Sequence, residues 1–244
     1  MNKKSNKKKR KNRTQPFFVK VVFISLFLFI LSFVVSFAFL VSFSSQKMVD
    51  LVQTSNFINP VTSKVYDTNG KLITEFFQEN RTPISLDQLP NHLISAFIAI
   101  EDSNFYQHYG ISIRGIIRAL IENIKEGRIA QGGSTITQQL AVNTFLTREE
   151  SLSRKIQDAL LALQIERTFT KNEILEMYLN LIYFGHGAHG IASASELYFS
   201  KPASELSLAE SALIAGIPRR PNYYSPFNNL EASLNRKNVI LKRM

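Results

Sequence analysis

Leu93–Gly110 reads LISAFIAIEDSNFYQHYG, and the reading of this stretch sets the fold class. Leu93, Ala96, Phe97 and Ile100 recur at steps of three and four residues, the spacing of one face of an α-helix. That helix runs into two adjacent carboxylates, Glu101 and Asp102. Neighbours on a helix point about 100° apart, so both cannot face the same way. One can enter a cleft while the other is held by the backbone or a cation. A carboxylate at the lip of an apolar helix is well placed for a raised pKa and for base catalysis. Taken alone, the pair reads at least as readily as solvated charge at a helix end. His108 and Gly110 close the turn that follows.

The helical period continues downstream. Ile156, Ala159, Leu160 and Leu163 form a second stripe, and Ile174, Leu175, Tyr178 and Leu179 a third. Capping-box pairs Ser85–Gln88, Thr170–Glu173 and Ser207–Glu210 mark helix starts. Helices are expected over roughly 90–102, 112–126, 135–145, 151–168, 171–183, 190–198 and 207–216, so the fold class is mainly α, with residues 85–244 as one domain. Upstream, residues 44–84 are expected to hold a linker and a β-hairpin. Val65 and Tyr66 precede the turn, and Leu72, Ile73, Phe76 and Phe77 follow it. Asn69-Gly70 between them supplies the positive φ that a tight hairpin needs.

Further upstream, Val21–Phe43 is a run of 23 residues without a charge. A bilayer core needs about 20 apolar residues in a helix, so this segment can span as an anchor. A cleaved signal peptide is the competing reading, but its apolar region is usually only about 7–15 residues. Residues 1–20 carry nine basic side chains and no acid. The positive-inside rule keeps such a tail in the cytoplasm and sends the body outside, as a single-pass protein of the cell membrane. Anionic membrane lipids are natural partners for the tail. The whole chain has 29 Lys plus Arg against 19 Asp plus Glu, and without the tail the balance is 20 against 19. The body therefore lacks the basic surface of a nucleic-acid binder, and no nucleic-acid partner is expected. Without cysteine there is no disulfide framework and no thiol chemistry.

Four further motifs follow. In QGGSTITQQ, Gln131–Gln139, two glycines precede a helix start and allow close backbone approach to an anion. No Lys follows as in an ATP-binding loop. A plain capped helix is the alternative, but Ser134, Thr135, Thr137, Gln138 and Gln139 place five polar side chains around one Ile, which suits a sugar- or diphosphate-lined groove. In SRKIQDALLALQIER, Ser153–Arg167, Arg154 and Asp158 stand one turn apart. They read either as a surface pair or, with Lys155, as a diphosphate site. EILEMYLNLIYFGHGAHGI and LSLAESALIAGIPRRPNYYSP look structural. His186 and His189 lack further ligands nearby, so no metal site is expected there.

These five motifs, in this order, resemble family 51 glycosyltransferases, the transglycosylase domain of class A penicillin-binding proteins and of monofunctional peptidoglycan glycosyltransferases. The resemblance covers about residues 60–244. It implies a lysozyme-like, mainly helical fold acting on lipid II, a disaccharide-pentapeptide carried on undecaprenyl diphosphate. It implies Glu101 as the general base that takes the proton from the acceptor sugar's 4-hydroxyl, with inversion at the donor's anomeric carbon and release of undecaprenyl diphosphate. Asp102, Phe105 and His108 are implied as support for that site. Ser134, Thr135, Thr137, Gln138 and Gln139 are implied to line the donor groove, and Arg154, Lys155 and Asp158 to handle the diphosphate. No cofactor is obligatory; a divalent cation, magnesium or manganese, can assist there. Implied partners are lipid II, the growing glycan strand, membrane lipids and proteins of cell-wall synthesis. The segment ISIRGIIRALIENIKEGRIA suits either an amphipathic helix at a membrane surface or an ordinary half-buried one.

Three positions depart from the family pattern. Val142 and Glu150 stand where cations are usual, and Asp158 stands where Glu is usual. Arg148 offers a cation in a different register. These departures keep a second reading open, a non-catalytic scaffold that holds lipid II or glycan. A lytic enzyme of similar fold is a third, but it needs neither the Arg154-Lys155 pair nor a membrane-facing helix.

Overall fold

The computed structural model of the chain describes residues 15–45, 63–69, 72–76, 82–127, 132–145 and 152–244. The basic tail before residue 15, most of the linker, Gly70, Phe77, Gln131, Arg148 and Glu150 lie outside the described residues. Two compact units emerge, Met1–Lys47 and Met48–Met244.

The first unit holds one helix, α1 (Gln15–Ser45). Its window Val19–Ser36 is long and apolar enough to cross a membrane by length and composition. The helix takes in Lys20 and starts before the uncharged run.

The second unit opens with an antiparallel pair, β1 (Ser63–Tyr66) and β2 (Leu72–Phe76), in the register Ser63↔Phe76 to Tyr66↔Leu72 with an irregularity between Val65 and Tyr66. Asp67 starts the turn by accepting the Asn69 amide on Oδ1 at 2.8 Å. Nine helices follow among the described residues: α2 (Asn91–Glu101), α3 (Ile113–Glu126), α4 (Ile136–Phe145), α5 (Leu152–Thr168), α6 (Lys171–Leu181), α7 (Ile191–Phe199), α8 (Leu208–Gly216), α9 (Pro221–Tyr224) and α10 (Leu230–Arg243). The fold is mainly helical, as the stripes require. The last two helices were not expected from the sequence.

Two of the three stripes become the core, whereas Ile156, Ala159, Leu160 and Leu163 are only half-buried and α5 turns Leu161, Ala162 and Ile165 inward instead. Leu93, Ala96, Phe97 and Ile100 of α2 are buried, as are Ile174, Leu175, Tyr178 and Leu179 of α6. α8 is buried from Ser211 to Gly216 and packs on both α2 and α10. A helix enclosed on all sides needs the small and apolar residues that α8 has. α4 packs on α5 and α6. The capping boxes at Thr170 and Ser207 form as read, each hydroxyl accepting the amide three residues on.

One ionic brace ties these layers. The Glu166 side chain of α5 is 4% exposed, and its Oε1 accepts from Lys171 Nζ at 2.6 Å and from Thr137 Oγ1 of α4 at 2.6 Å. Lys171 also sits 4.4 Å from the Phe105 ring centre. Removing one partner of a buried pair strands the other charge, typically at about 3–5 kcal/mol. Lys171→Met is expected to lower unfolding free energy by about 3 kcal/mol, the low end, since Thr137 still donates. Denaturant titration checks this; a loss below about 1 kcal/mol would mean the pair is no better than a surface one.

Candidate active site

Glu101 is the last residue of α2, one step past its buried stripe. Asp102 leaves the helix with φ −157° and ψ 77°, and this change of direction separates the two carboxylates. Asp102 is buried, and its Oδ2 accepts from His108 Nε2 at 2.8 Å and from the Ile136 amide at 3.2 Å. Ile136 opens α4, so Asp102 places a negative charge at a helix N-terminus, where the dipole favours it. An imidazole and a backbone amide thus hold the second carboxylate. Gly110 ends this segment with φ +81°, where a Cβ would meet the Ala162 carbonyl at 2.7 Å. Only glycine lets the motif lie this close to α5.

Glu101 faces the opening. Its Oε2 accepts from Gln139 Nε2 at 2.8 Å, and Gln139 Oε1 accepts from the Tyr178 hydroxyl at 3.2 Å. Burial above all raises the Glu101 pKa; the Gln139 hydrogen bond and the charges of Arg236 and Arg219 pull it back down, and Asp102 pushes it up again. A carboxylate whose pKa is raised in this way binds a proton more readily than an exposed glutamate does, which suits a general base.

Two cavities meet at this point. The first, about 260 Å³, is lined by Glu101, Gln139, Ser134, Gly132 and Pro218, with Arg118, Arg219, Arg236 and Arg243 around them. The second, about 380 Å³, is lined by Ser134, Gln138, Gln139, Val142, Arg154, Lys155, Asp158 and Tyr183 among others. Both share Ser134, Gln139 and Pro218. In the second, Asp158 is 2% exposed and stands 3.9 Å from Arg154 Nε and 3.7 Å from Lys155 Nζ. These are ion pairs beyond hydrogen-bond reach, and Asp158 Oδ1 is buried without a hydrogen-bond partner. Burial raises the Asp158 pKa, and the Lys155 and Arg154 charges oppose that rise.

Ser134, Gln138, Gln139, Arg154, Lys155 and Asp158 therefore come together with Glu101. Thr135, Thr137 and Phe105 do not line either cavity. Thr135 is 1% exposed, and its hydroxyl donates to the Gly110 carbonyl at 2.6 Å. It also caps α4, accepting the Gln138 amide at 3.1 Å while Gln138 Oε1 accepts the Thr135 amide at 3.0 Å. Thr137 is fully buried in the Glu166 brace, and Phe105 is core beneath Lys171. His108 reaches the site only through Asp102.

The sequence reading gave the fourth and fifth motifs a structural role alone, but Ile182 and Tyr183 of the fourth and Pro218, Arg219 and Pro221 of the fifth line the two cavities, and two arginines that no motif contained join them. Arg219 and Arg236 line the Glu101 cavity, as does Arg243 from the end of α10. Gly216 makes room for Arg236, since a Cβ there would lie 2.7 Å from Arg236 Cγ. Burial and the Arg219 charge lower the Arg236 pKa, while Tyr224 and Glu101 raise it. Arg236 Nε is buried without a hydrogen-bond partner. Cations gathered this closely call for an anion. His186 and His189 do not converge: His186 Nε2 meets Ser225 Oγ at 2.9 Å, and His189 lies against the Tyr183 ring at 4.7 Å. Among the described residues no group of three or more His, Asp or Glu can hold a metal ion.

α3 leaves its apolar side chains exposed. Gly115 and Ala119 face inward, while Ile113, Ile117, Leu120 and Ile124 are 53% to 72% exposed. The apolar face is the outer one, the reverse of a half-buried helix, and an exposed patch of this kind marks a contact surface.

A family model described as Transglycosylase matches residues 69–244. Penicillin-binding protein 1A of Aquifex aeolicus is 53% identical over 185 residues, 76% of this chain and 26% of that protein. Penicillin-binding protein 1A of Pseudomonas aeruginosa is 51% identical over 181 residues, 74% of this chain and 22% of that protein. Penicillin-binding protein 1A/1B of Bacillus subtilis is 41% identical over 242 residues, 98% of this chain and 26% of that protein. The chain spans about a quarter of the length of these curated relatives. With the match running from the hairpin turn to the end of α10, this chain belongs to the transglycosylase family.

Proposed function

We propose that the chain polymerises lipid II into glycan strands with release of undecaprenyl diphosphate, and that Glu101 is the general base. The observation that carries this is one carboxylate of raised pKa set between two cation-lined cavities. A glycosyl transfer between two lipid diphosphates needs such an arrangement. The acceptor's 4-hydroxyl gives its proton to Glu101, and its oxygen forms the new bond to the donor's anomeric carbon. The bond from that carbon to the diphosphate breaks, and the leaving group takes the electron pair. Arg154 and Lys155 offset the charge that develops on the leaving diphosphate. Arg118, Arg219, Arg236 and Arg243 hold the acceptor's own diphosphate. A resident divalent cation does not fit the residues present: Asp158 is a single carboxylate with two cations beside it, so the charge is carried by side chains alone.

Arg236→Gln tests the acceptor half. Loss of one desolvated charge contact is expected to raise KM for lipid II about 10-fold with a smaller change in kcat, since binding is lost in ground and transition states alike. An unchanged KM would remove Arg236 from the acceptor site.

α1 acts as a membrane anchor with its N-terminus in the cytoplasm, and the outward apolar face of α3 rests on the membrane surface, where the lipid tails of the substrate lie. The membrane, the growing strand and other proteins of wall synthesis are then its partners. Protease added outside intact spheroplasts is expected to digest the body and leave a small anchored fragment; a protected body would contradict this orientation.

One observation favours a second reading, a lipid II-binding scaffold without turnover. Asp158 stands 3.7 and 3.9 Å from its two neighbouring cations and leaves Oδ1 without a hydrogen-bond partner, so the carboxylate of the donor cavity is loosely held. Incubating the purified chain with lipid II separates the two: strands support the enzyme, and binding without strands supports the scaffold.

A further inference from the structure

Tyr178 lies on the core-facing stripe of α6 and is fully buried. Its hydroxyl donates to Gln139 Oε1 at 3.2 Å, and the other end of the same amide, Nε2, donates to Glu101 Oε2 at 2.8 Å. A glutamine amide has two ends of nearly equal shape and opposite polarity. Turned over, it would set its oxygen against the Glu101 carboxylate, which accepts and cannot donate while ionised. Once Glu101 takes a proton, the turned form becomes acceptable: the acid donates to Oε1, and Nε2 donates to the tyrosine oxygen. The orientation of one amide thus decides whether the ionised or the protonated base is favoured.

We infer that Tyr178 is a positioning residue: a phenol hydroxyl donates more strongly than it accepts, so it favours the Gln139 amide with its NH₂ toward Glu101, and the base stays ionised and presents its free oxygen to the substrate hydroxyl. Burial, with the Glu101 and Asp102 charges behind it, pushes the Tyr178 phenol well above its usual range. The hydroxyl therefore remains a donor at any working pH. Water cannot replace it, since the side chain has no exposed surface. The inference rests on the reading of Glu101 as the base, but its consequence for Glu101 ionisation is independent of turnover.

The test is a carboxyl NMR titration of the full chain with labelled glutamate, free of substrate, run beside the pH–rate profile of strand synthesis from lipid II. Tyr178→Phe removes one oxygen and keeps the ring. It is expected to raise the Glu101 midpoint by about 0.5–1 pH unit, the size of one lost hydrogen-bond orientation, and to move the acidic limb of the rate profile by the same amount. In a Gln139→Ala background the same substitution is expected to move neither, because its route to Glu101 is gone. An unmoved midpoint in Tyr178→Phe overturns the inference, as does an equal shift in the Gln139→Ala background, which would signal general loosening. A shifted midpoint without strand synthesis in any variant would sink the proposed function and leave the positioning role standing. If Tyr178→Phe does not fold, the parent still decides: the Gln139 NH₂ protons are expected to be protected from solvent exchange and to shift as Glu101 titrates, and NH₂ protons that exchange like an exposed amide and do not follow that titration contradict the inference.

Discussion

Glu101→Gln is expected to lower strand synthesis by about 10²–10⁴-fold while leaving lipid II binding nearly unchanged, the usual contribution of a general base. The amide matches the carboxylate in size and still hydrogen-bonds, but it cannot take the acceptor's proton. The four arginines and the Arg154–Lys155 pair stay in place, so the substrate is still held. The pH dependence carries a sign. Burial raises the Glu101 pKa, so the base loses its charge at a higher pH than an exposed glutamate does. Activity should therefore fall on acidification from above the ordinary carboxylate range, and this limb should vanish in Glu101→Gln. Initial rates against pH, with binding measured in parallel, check both. A variant within a few-fold of the parent would mean that Glu101 is not the base.

Asp158 carries the second large effect. Its oxygens stand 3.7 and 3.9 Å from the Lys155 and Arg154 nitrogens, where charge-assisted bonds measure about 2.7–2.9 Å. The shortfall is about 1 Å, and a misplacement of that size can cost of order 100-fold in rate. Glutamate adds one carbon–carbon bond, about 1.5 Å, enough to close the gap. Asp158→Glu is expected to raise the rate about 10-fold or more by aligning the cations on the leaving diphosphate. Val142 lines the same cavity, and Val142→Lys adds a cation there, so the double variant should exceed either single one. Asp158→Ala should fall well below the parent, because it leaves Arg154 and Lys155 without their common anion. Rates for all four variants decide. If Asp158→Glu is neutral or harmful, the backbone already sets the cations correctly; if Asp158→Ala equals the parent, Asp158 has no part in the reaction.

Much of this was legible in the sequence because it is local. The stripe from Leu93 to Ile100 fixed both a helix and the carboxylate at its end, and the turn at Asn69 announced the hairpin. Other features depend on tertiary packing. α10 went unseen because Ser233 and Ile240 are its only buried positions, too sparse for a helical stripe. The arginine cluster draws on α3, the loop after α8 and both middle and end of α10, and no sequence window contains it. Thr135 and Thr137 were assigned to the groove because polar side chains crowd that motif. A signal for Thr135 was present in Thr135-x-x-Gln138, which is itself a capping box. Thr137's role could not be read, since its partner Glu166 lies on another helix.

The most direct test of the central claim gives the purified chain lipid II as its sole substrate and separates the products by length. The account predicts glycan strands with one undecaprenyl diphosphate released per bond formed, and none from Glu101→Gln. Tight binding of lipid II by the parent chain, with no strand and no released diphosphate lipid, would contradict it.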